Sequence, residues 1–565
     1  MENLIMKVLY NVYIYTMDDN YNTATAIAWE GETIKAVGSR EEILKNYPHA
    51  EHIDGKGKTV LPGFIDAHNH FIWGIMFNGI LSCTPDIAPT VDALKKLLHN
   101  ESKKRAGGEW IVAQGYDPWE FQGCRIPTRH DLDEACPDNP ALIVHYSMHE
   151  CIANTRALDA AGIDRKTRQP IGGKIVKDMR KNPTGHLIEL AITQVEKLAR
   201  QNLIRQTGSD LIEMINKAQN HLLSLGITRI CDAAVSPEIE DIYQKSYENG
   251  AIKMPVIMNP SSESGLYELP WDSIHHAPTG EGSRSLKVGP LKIYMDGANQ
   301  CGMKMNLLQI FLAAVVAGYQ TVKSLSLDSF RALLRSELQF GRDLKIHTGL
   351  FTSTVANYQE IAAQAVNNDF ALCIHAIGNE AVENAIDVIK TVRNKHQAKM
   401  PPRIDHALFM DNESIKRISD LGIAVVTQPY FLTHMHSGNV PYLNDLKKMP
   451  LKSFINMGVR VAGSSDWPVA SINPLLAMER AVTRMTKGGE RLQEDESLNI
   501  NEALALYTRE AAYALGCDDE AGSLETGKRA DFIILSENPG GLREGEWKNV
   551  KIIKTYLAGD LVYSS

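Results

Sequence analysis

The sequence has no Cys-x-x-Cys pair. Its eight cysteines (Cys83, Cys124, Cys136, Cys151, Cys231, Cys301, Cys373 and Cys517) are scattered over 565 residues. That argues against a cysteine-built zinc site or a thioredoxin-like motif, and the density is too low for a disulfide scaffold. No run is long and apolar enough to span a bilayer. No dense Lys/Arg stripe is present, and the formal net charge is −9, so neither a nucleic-acid nor a membrane partner is expected. Met1–Asn20 lacks a basic start followed by an unbroken apolar core. Its near-alternation of apolar and polar residues reads as a strand and not as a signal peptide, which makes the cytoplasm the default location. Tandem repeats and low-complexity tracts are absent as well.

What is present is an ordinary globular composition, 44% hydrophobic and 22% charged. The length allows a large barrel plus a second domain. Both ends are β-rich: Val8–Met17, Thr25–Glu30 and Glu32–Gly38 at one, Asp531–Leu535 and Lys551–Leu557 at the other, with Ala558-Gly559-Asp560 as a turn. They predict one small β domain built from residues 1–60 and 515–565. Between them, residues 61–514 alternate strand-like and helix-like segments, the pattern of βα units in the α/β class. The expected strands are Val60–Ala67, Ile227–Ala234, Met254–Asn259, Leu291–Asp296, Phe370–His375, Arg403–His406, Ile423–Gln428 and Val459–Ser465. Helical patterns cover Asp210–Leu225, Glu380–Val392 and Glu413–Leu421. Eight such strands in series predict a (β/α)8 TIM barrel. The first two lie about 160 residues apart, far beyond a usual βα connection, which predicts an inserted subdomain at about residues 85–200. A second long connection covers roughly residues 298–369.

The strongest local signal is Leu61-Pro62-Gly63-Phe64-Ile65-Asp66-Ala67-His68-Asn69-His70. An apolar strand runs straight into His-x-His. Side chains alternate along a strand, so His68 and His70 point the same way and can share a metal ion. The pair follows the C-terminal end of a strand, where barrel active sites lie. His375 and His406 close two further apolar strands. Asp466 follows the last one, where a carboxylate can ligate metal and move a proton between water and a leaving nitrogen. The competing reading of Asp466 is a helix N-cap.

Together, Leu61–His70, His375-Ala376-Ile377-Gly378, Asp405-His406-Ala407 and Gly463-Ser464-Ser465-Asp466-Trp467-Pro468-Val469 resemble the amidohydrolase superfamily, in particular its YtcJ-like group, which includes N-substituted formamide deformylases. The resemblance extends to Asn182–Glu189, to His149, Asn154 and Ala157-Leu158, to Leu291–Gly297 and to Gly522–Phe532. It implies that the terminal domain is a β-sandwich. It further implies one or two Zn2+ ions held by His68, His70, His375, His406 and Asp466. Lys292 stands where many relatives carry a lysine carbamylated by CO2 as a bridge between two metals; an unmodified ammonium has no lone pair to offer. The implied reaction is attack of metal-activated water on a C–N bond of a small amide or N-substituted formamide, with Asp466 as general base and then acid. His149, from the insertion, would donate a hydrogen bond to the substrate or its developing oxyanion. Trp73, Tyr116, Trp119 and Trp467 are candidate apolar walls. Two stretches depart from the group pattern: Asn379-Glu380, and Ala298-Asn299-Gln300-Cys301. Both bear on the substrate more than on the reaction. The alternatives are a deaminase or cyclic amidohydrolase of the same fold, or a non-catalytic regulatory protein on this scaffold. A homodimer is the base-rate expectation for assembly.

Overall fold

The computed structural model describes residues 5–117, 125–208, 210–262, 270–275, 277–298, 300–311, 315, 339–341, 344–395, 397–435 and 446–565. Both ends of the chain meet in one seven-stranded sheet. Its order is Asp560–Ser564, Ile552–Leu557, Phe532–Leu535, Glu51–Pro62, Met6–Tyr15, Thr23–Glu30 and Thr33–Gly38. Glu51–Pro62 joins the two halves, parallel to Met6–Tyr15 and antiparallel to Phe532–Leu535. The sheet is strongly curled. Trp29 and Phe532 stand on strands separated by two others, which in a flat sheet would put them about 14 Å apart. Their ring centroids are 5.2 Å apart, and Trp29 lies 5.6 Å from Tyr556. The Trp29 indole N–H closes the curl by donating to the Gly559 carbonyl at 3.0 Å.

Val60–Ala67, expected as one strand, is two. The terminal sheet keeps the chain as far as Pro62, and a second strand, Phe64–Asn69, begins after Gly63. The switch is visible in the backbone: Gly63 N–H donates to Asp531 of the terminal sheet, and Phe64 N–H donates to Gly226 beside the next parallel strand. A Cβ at Gly63 would lie 2.3 Å from Thr228, so the crossing point has no room for a side chain.

Two parallel sheets follow. One runs Leu286–Val288, Val256–Pro260, Ile227–Val235, Phe64–Asn69. The other runs Leu291–Tyr294, Leu372–Ala376, Arg403–His406, Ala424–Thr427, Val461–Gly463. Leu286–Val288 had not been expected; it is short and is split from Leu291–Tyr294 by Gly289-Pro290. Helices cover the sheets on apolar faces. Asp210–Ser224 buries Leu211, Ile215, Leu222 and Leu223 and stops before Gly226, whose φ is +78°. Asn379–Val392 buries Val382, Ile386 and Ile389 on one stripe. Asn412–Asp420 starts at Asp411, whose carboxylate accepts the Ser414 N–H at 2.7 Å.

The long stretch between Phe64–Asn69 and Ile227–Val235 holds its own six-stranded sheet. Its order is Gly173–Lys177, Pro183–Glu189, Glu150–Ala153, Ala141–His145, Ile111–Tyr116, Leu81–Ser82. Asn154 fixes one corner. Its side-chain oxygen accepts from Ala141 N and Ala157 N, both at 2.9 Å, and so joins a strand to the helix Thr155–Ala160. No helix among the described residues is long and apolar enough to cross a membrane.

Candidate metal centre

His68, His70, His375, His406 and Asp466 all line one cavity of about 180 Å³ at the C-terminal ends of the parallel strands. Register brings them together. Tyr294 pairs with His375, His375 with Asp405, and Ala376 with His406, so the strand ends are level. The His375 and His406 rings are 4.4 Å apart, those of His68 and His406 5.0 Å, and those of His68 and His70 5.3 Å. One donor atom each from His68, His406 and Asp466 falls within 4.8 Å of the others. His406 and Asp466 have φ of 76° and 54°, left-handed backbone that side-chain-bearing residues seldom adopt, and such strain clusters at functional sites.

The hydrogen bonds behind these side chains decide what they present. His68 Nδ1 is 2.6 Å from Asp405 Oδ2, and a carboxylate only accepts, so the ring proton sits on Nδ1. Nε2 is then the nitrogen turned toward the cavity. It faces Asp466 Oδ1 at 3.2 Å. His406 repeats the pattern: Nδ1 donates to Gln428 Oε1 at 2.8 Å, and Gln428 Nε2 donates to Ser464 Oγ at 2.9 Å, which fixes the carboxamide's orientation. His70 Nε2 also lies 3.2 Å from Asp466 Oδ1. His68 Nε2, His375 Nε2 and Asp466 Oδ1 are buried and make no hydrogen bond among the described residues. A buried imidazole nitrogen and a buried carboxylate oxygen this close call for a proton or a metal cation between them. The donor set therefore fits a metal ion.

Charge follows the same logic. Burial pushes the imidazoles of His70 and His375 below their ordinary range and that of His406 down to about 3, which keeps their lone pairs available. Burial alone would raise Asp466. The imidazoles of His68 and His70 outweigh it and hold its carboxyl well below the usual carboxylate range.

Lys292 is buried but does not line the cavity. Its Nζ turns to Asp405 Oδ2 at 3.1 Å and lies 5.0 Å from the centre of the Tyr294 ring. Asp405 is the hub behind the rim, since Arg403 Nε is 3.0 Å from its other oxygen. His149 does line the cavity; its ring is 5.7 Å from that of His375, and its Nδ1 is 2.7 Å from Glu189. The expected aromatic walls are corrected. Trp73 is buried beneath Arg200, Tyr116 packs inside the inserted sheet, and Trp467 presses on Gly74 beside a separate groove. The cavity's aromatics are Tyr146, Tyr294, Phe409 and Phe431. Trp119 and Asn299 lie outside the described residues. Asn379 and Glu380 are turned away from the cavity: Asn379 bonds the Lys304 backbone, and Glu380 pairs with His347 at 2.8 Å. The roles of Asp405, Gln428 and Glu189 are not visible in the sequence motifs that contain or flank them. An Arg-x-Asp alternation at Arg403 and Asp405, pointing opposite to His406, is the one sequence signal that could have found the hub.

The model of the Amidohydrolase family matches residues 51–563. An N-substituted formamide deformylase of Arthrobacter pascens is 28% identical over 98% of each chain. The putative amidohydrolase YtcJ of Bacillus subtilis is 26% identical, again over 98% of each. Among solved structures, a metal-dependent hydrolase from Pyrococcus horikoshii OT3 superposes with a TM-score of 0.67 at 22% identity, covering 96% of this chain and 99% of that one. This chain belongs to the amidohydrolase family and is a hydrolase of carbon–nitrogen bonds.

Proposed function

We propose that this enzyme is a zinc-dependent hydrolase that releases an amine from a small amide or N-substituted formamide. The observation that carries the reading is the opposition of His68 Nε2 and Asp466 Oδ1, 3.2 Å apart, both buried and without a hydrogen-bond partner among the described residues. His68, His70, His375, His406 and Asp466 would hold the metal, and a set of imidazoles with one carboxylate suits zinc. When bound, zinc supplies Lewis acidity toward a water molecule and toward the substrate carbonyl. Asp466, ionised at neutral pH, takes the proton of the attacking water and passes it to the departing nitrogen. His149 donates a hydrogen bond to the oxygen on which charge develops. Leu408, Phe409, Phe431 and Val469 form an apolar wall for the rest of a small organic substrate, and the formamide-cleaving relative supports the same class.

The scaffold reading is a (β/α)8 barrel with a small terminal β domain and an insertion. Two observations support closure. His70 N–H donates to the Trp467 carbonyl and Asp466 N–H to that of His68, at 2.8 and 2.9 Å, which joins the last strand's loop to the first strand. At the other seam the chain itself passes from Val288 through Gly289-Pro290 to Leu291. Lys292 sets the metal count. A carbamate there, freed from Asp405, goes with two zinc ions per chain; an ammonium paired with Asp405 goes with one.

The test is metal quantification combined with a panel of N-substituted formamides, acyl amides and ring amines, monitored for formate, free amine and ammonia. Zinc with stoichiometric amine release is expected. Ammonia from a ring amine would move the reading to a deaminase. Absence of both zinc and turnover would overturn it.

A further inference from the structure

The inserted sheet sends one histidine into the cavity, and that histidine has a dedicated partner. His149 immediately precedes the strand Glu150–Ala153, and Glu189 ends the neighbouring strand Pro183–Glu189. Ile188 pairs with Glu150 in antiparallel register, so His149 and Glu189 fall opposite each other at the sheet's end. Glu189 N–H donates to the His149 carbonyl at 2.8 Å, and the Glu189 carboxylate lies 2.7 Å from His149 Nδ1. The two residues are thus locked together through backbone and side chain. Glu189 is 1% exposed, and its backbone is held at φ 50°, ψ −132°, which L side chains rarely adopt.

A third residue is shaped to this pair. Gly297 follows the strand Leu291–Tyr294 of the parallel sheet and packs on the Glu189 carboxylate, so that a Cβ there would lie 2.2 Å from Oε1. A glycine from one sheet thus leaves space for a carboxylate from another. The carboxylate at 2.7 Å outcompetes the Ala298 N–H, which approaches the same Nδ1 at 3.3 Å; by accepting from Nδ1–H it fixes the imidazole's tautomer and plane and leaves Nε2 to meet the cavity.

We propose that Glu189 is a positioning residue: with Gly297 as its seat, it sets the tautomer and orientation of His149, making the insertion a working part of the active site. The kinetic arm of the test rests on the hydrolase reading above; the spectroscopic arm does not. In protein labelled with 15N-histidine, a downfield Nδ1–H proton that disappears in His149→Gln is expected in the wild type. It should also disappear in Glu189→Leu, which leaves no acceptor, at unchanged zinc content. Its persistence in Glu189→Leu would overturn the inference whether or not any amide is cleaved. On an N-alkylformamide, Glu189→Leu should lower kcat by roughly 10–100-fold with KM nearly unchanged. In the His149→Gln background it should have no further effect, whereas additive losses would mean a merely structural role. Should Glu189→Leu fail to fold, Gly297→Ala displaces the same carboxylate without removing its charge. It must reproduce the loss of the proton signal, and retention of that signal would equally overturn the inference.

Discussion

The histidines of the strand-end rim and those of the inserted sheet are built alike on one side and differently on the other. In each group one ring nitrogen is tied down: His68 to Asp405 and His406 to Gln428 on the rim, His149 to Glu189 and His186 to Glu150 in the insertion. The rim pair then turns its second nitrogen toward Asp466, which can only accept. Among the described residues His186 faces no second carboxylate; its Nε2 is the nitrogen already engaged by Glu150. The partner behind a histidine settles its tautomer, and what stands in front settles its use. A ring nitrogen facing a carboxylate asks for a cation, while His186, paired on its own sheet and not lining the cavity, is structural.

The largest test of this contrast is Asp466→Asn. It removes the carboxylate in front of the rim while leaving the volume, and kcat should fall by about 10²–10⁴-fold, the range for losing a general acid–base group. A loss under tenfold in amine release would break the contrast at its centre. Asp405→Asn comes next, acting from behind. It puts a neutral acceptor behind His68 in place of a charged one and leaves Lys292 and Arg403 short of their counter-charge. Zinc affinity should fall by roughly 10–100-fold. Thermal unfolding should register about 3–5 kcal/mol, because one partner of a buried ion pair has been removed. Unchanged zinc affinity would mean that the partner behind does not matter.

The insertion yields a pH test. Burial pushes His145 down to about 4, against an ordinary 6.5, with Glu150 opposing and His186 and His149 adding to the shift. Below pH 6.5 the unfolded chain binds a proton that the folded chain refuses. The stability from a neutral His145 is therefore complete above pH 6.5 and is lost as pH falls toward 4, by up to about 3 kcal/mol. Denaturant melts of His145→Gln should have a flatter acid limb than wild type between those values; parallel limbs would refute the assignment. The smallest effect belongs to His186→Gln. Its pair with Glu150 is about an eighth exposed on each side and does not line the cavity, so a change of about 1 kcal/mol in stability is expected. Initial rates on the formamide should stay within about twofold, and a hundredfold loss would erase the distinction between the two groups.

The legible features were those with a local period. His68 and His70 stood out because alternation along one strand aligns them, and His375, His406 and Asp466 because each ends an apolar run. A period of 3.6 residues likewise served the helices, whose stripes and Gly226 stop mark their limits. What stayed hidden depends on contacts between distant residues. Asp405 meets His68 across 337 residues, and Glu189 meets His149 only because two strands pair in one register. The strand break at Gly63 was invisible because Pro62 and Phe64 are equally buried, though in different sheets. Trp73, Tyr116 and Trp467 were misread as walls of the site because proximity to a motif says nothing about which way a side chain turns.

Zinc K-edge X-ray absorption on the purified enzyme tests the central claim most directly. The account predicts a first shell of nitrogen and oxygen only, at about 2.0–2.1 Å, with the outer scattering of several imidazoles. That imidazole signature should weaken in His406→Ala. A sulfur shell near about 2.3 Å, or a zinc spectrum unaltered by His406→Ala, would contradict it.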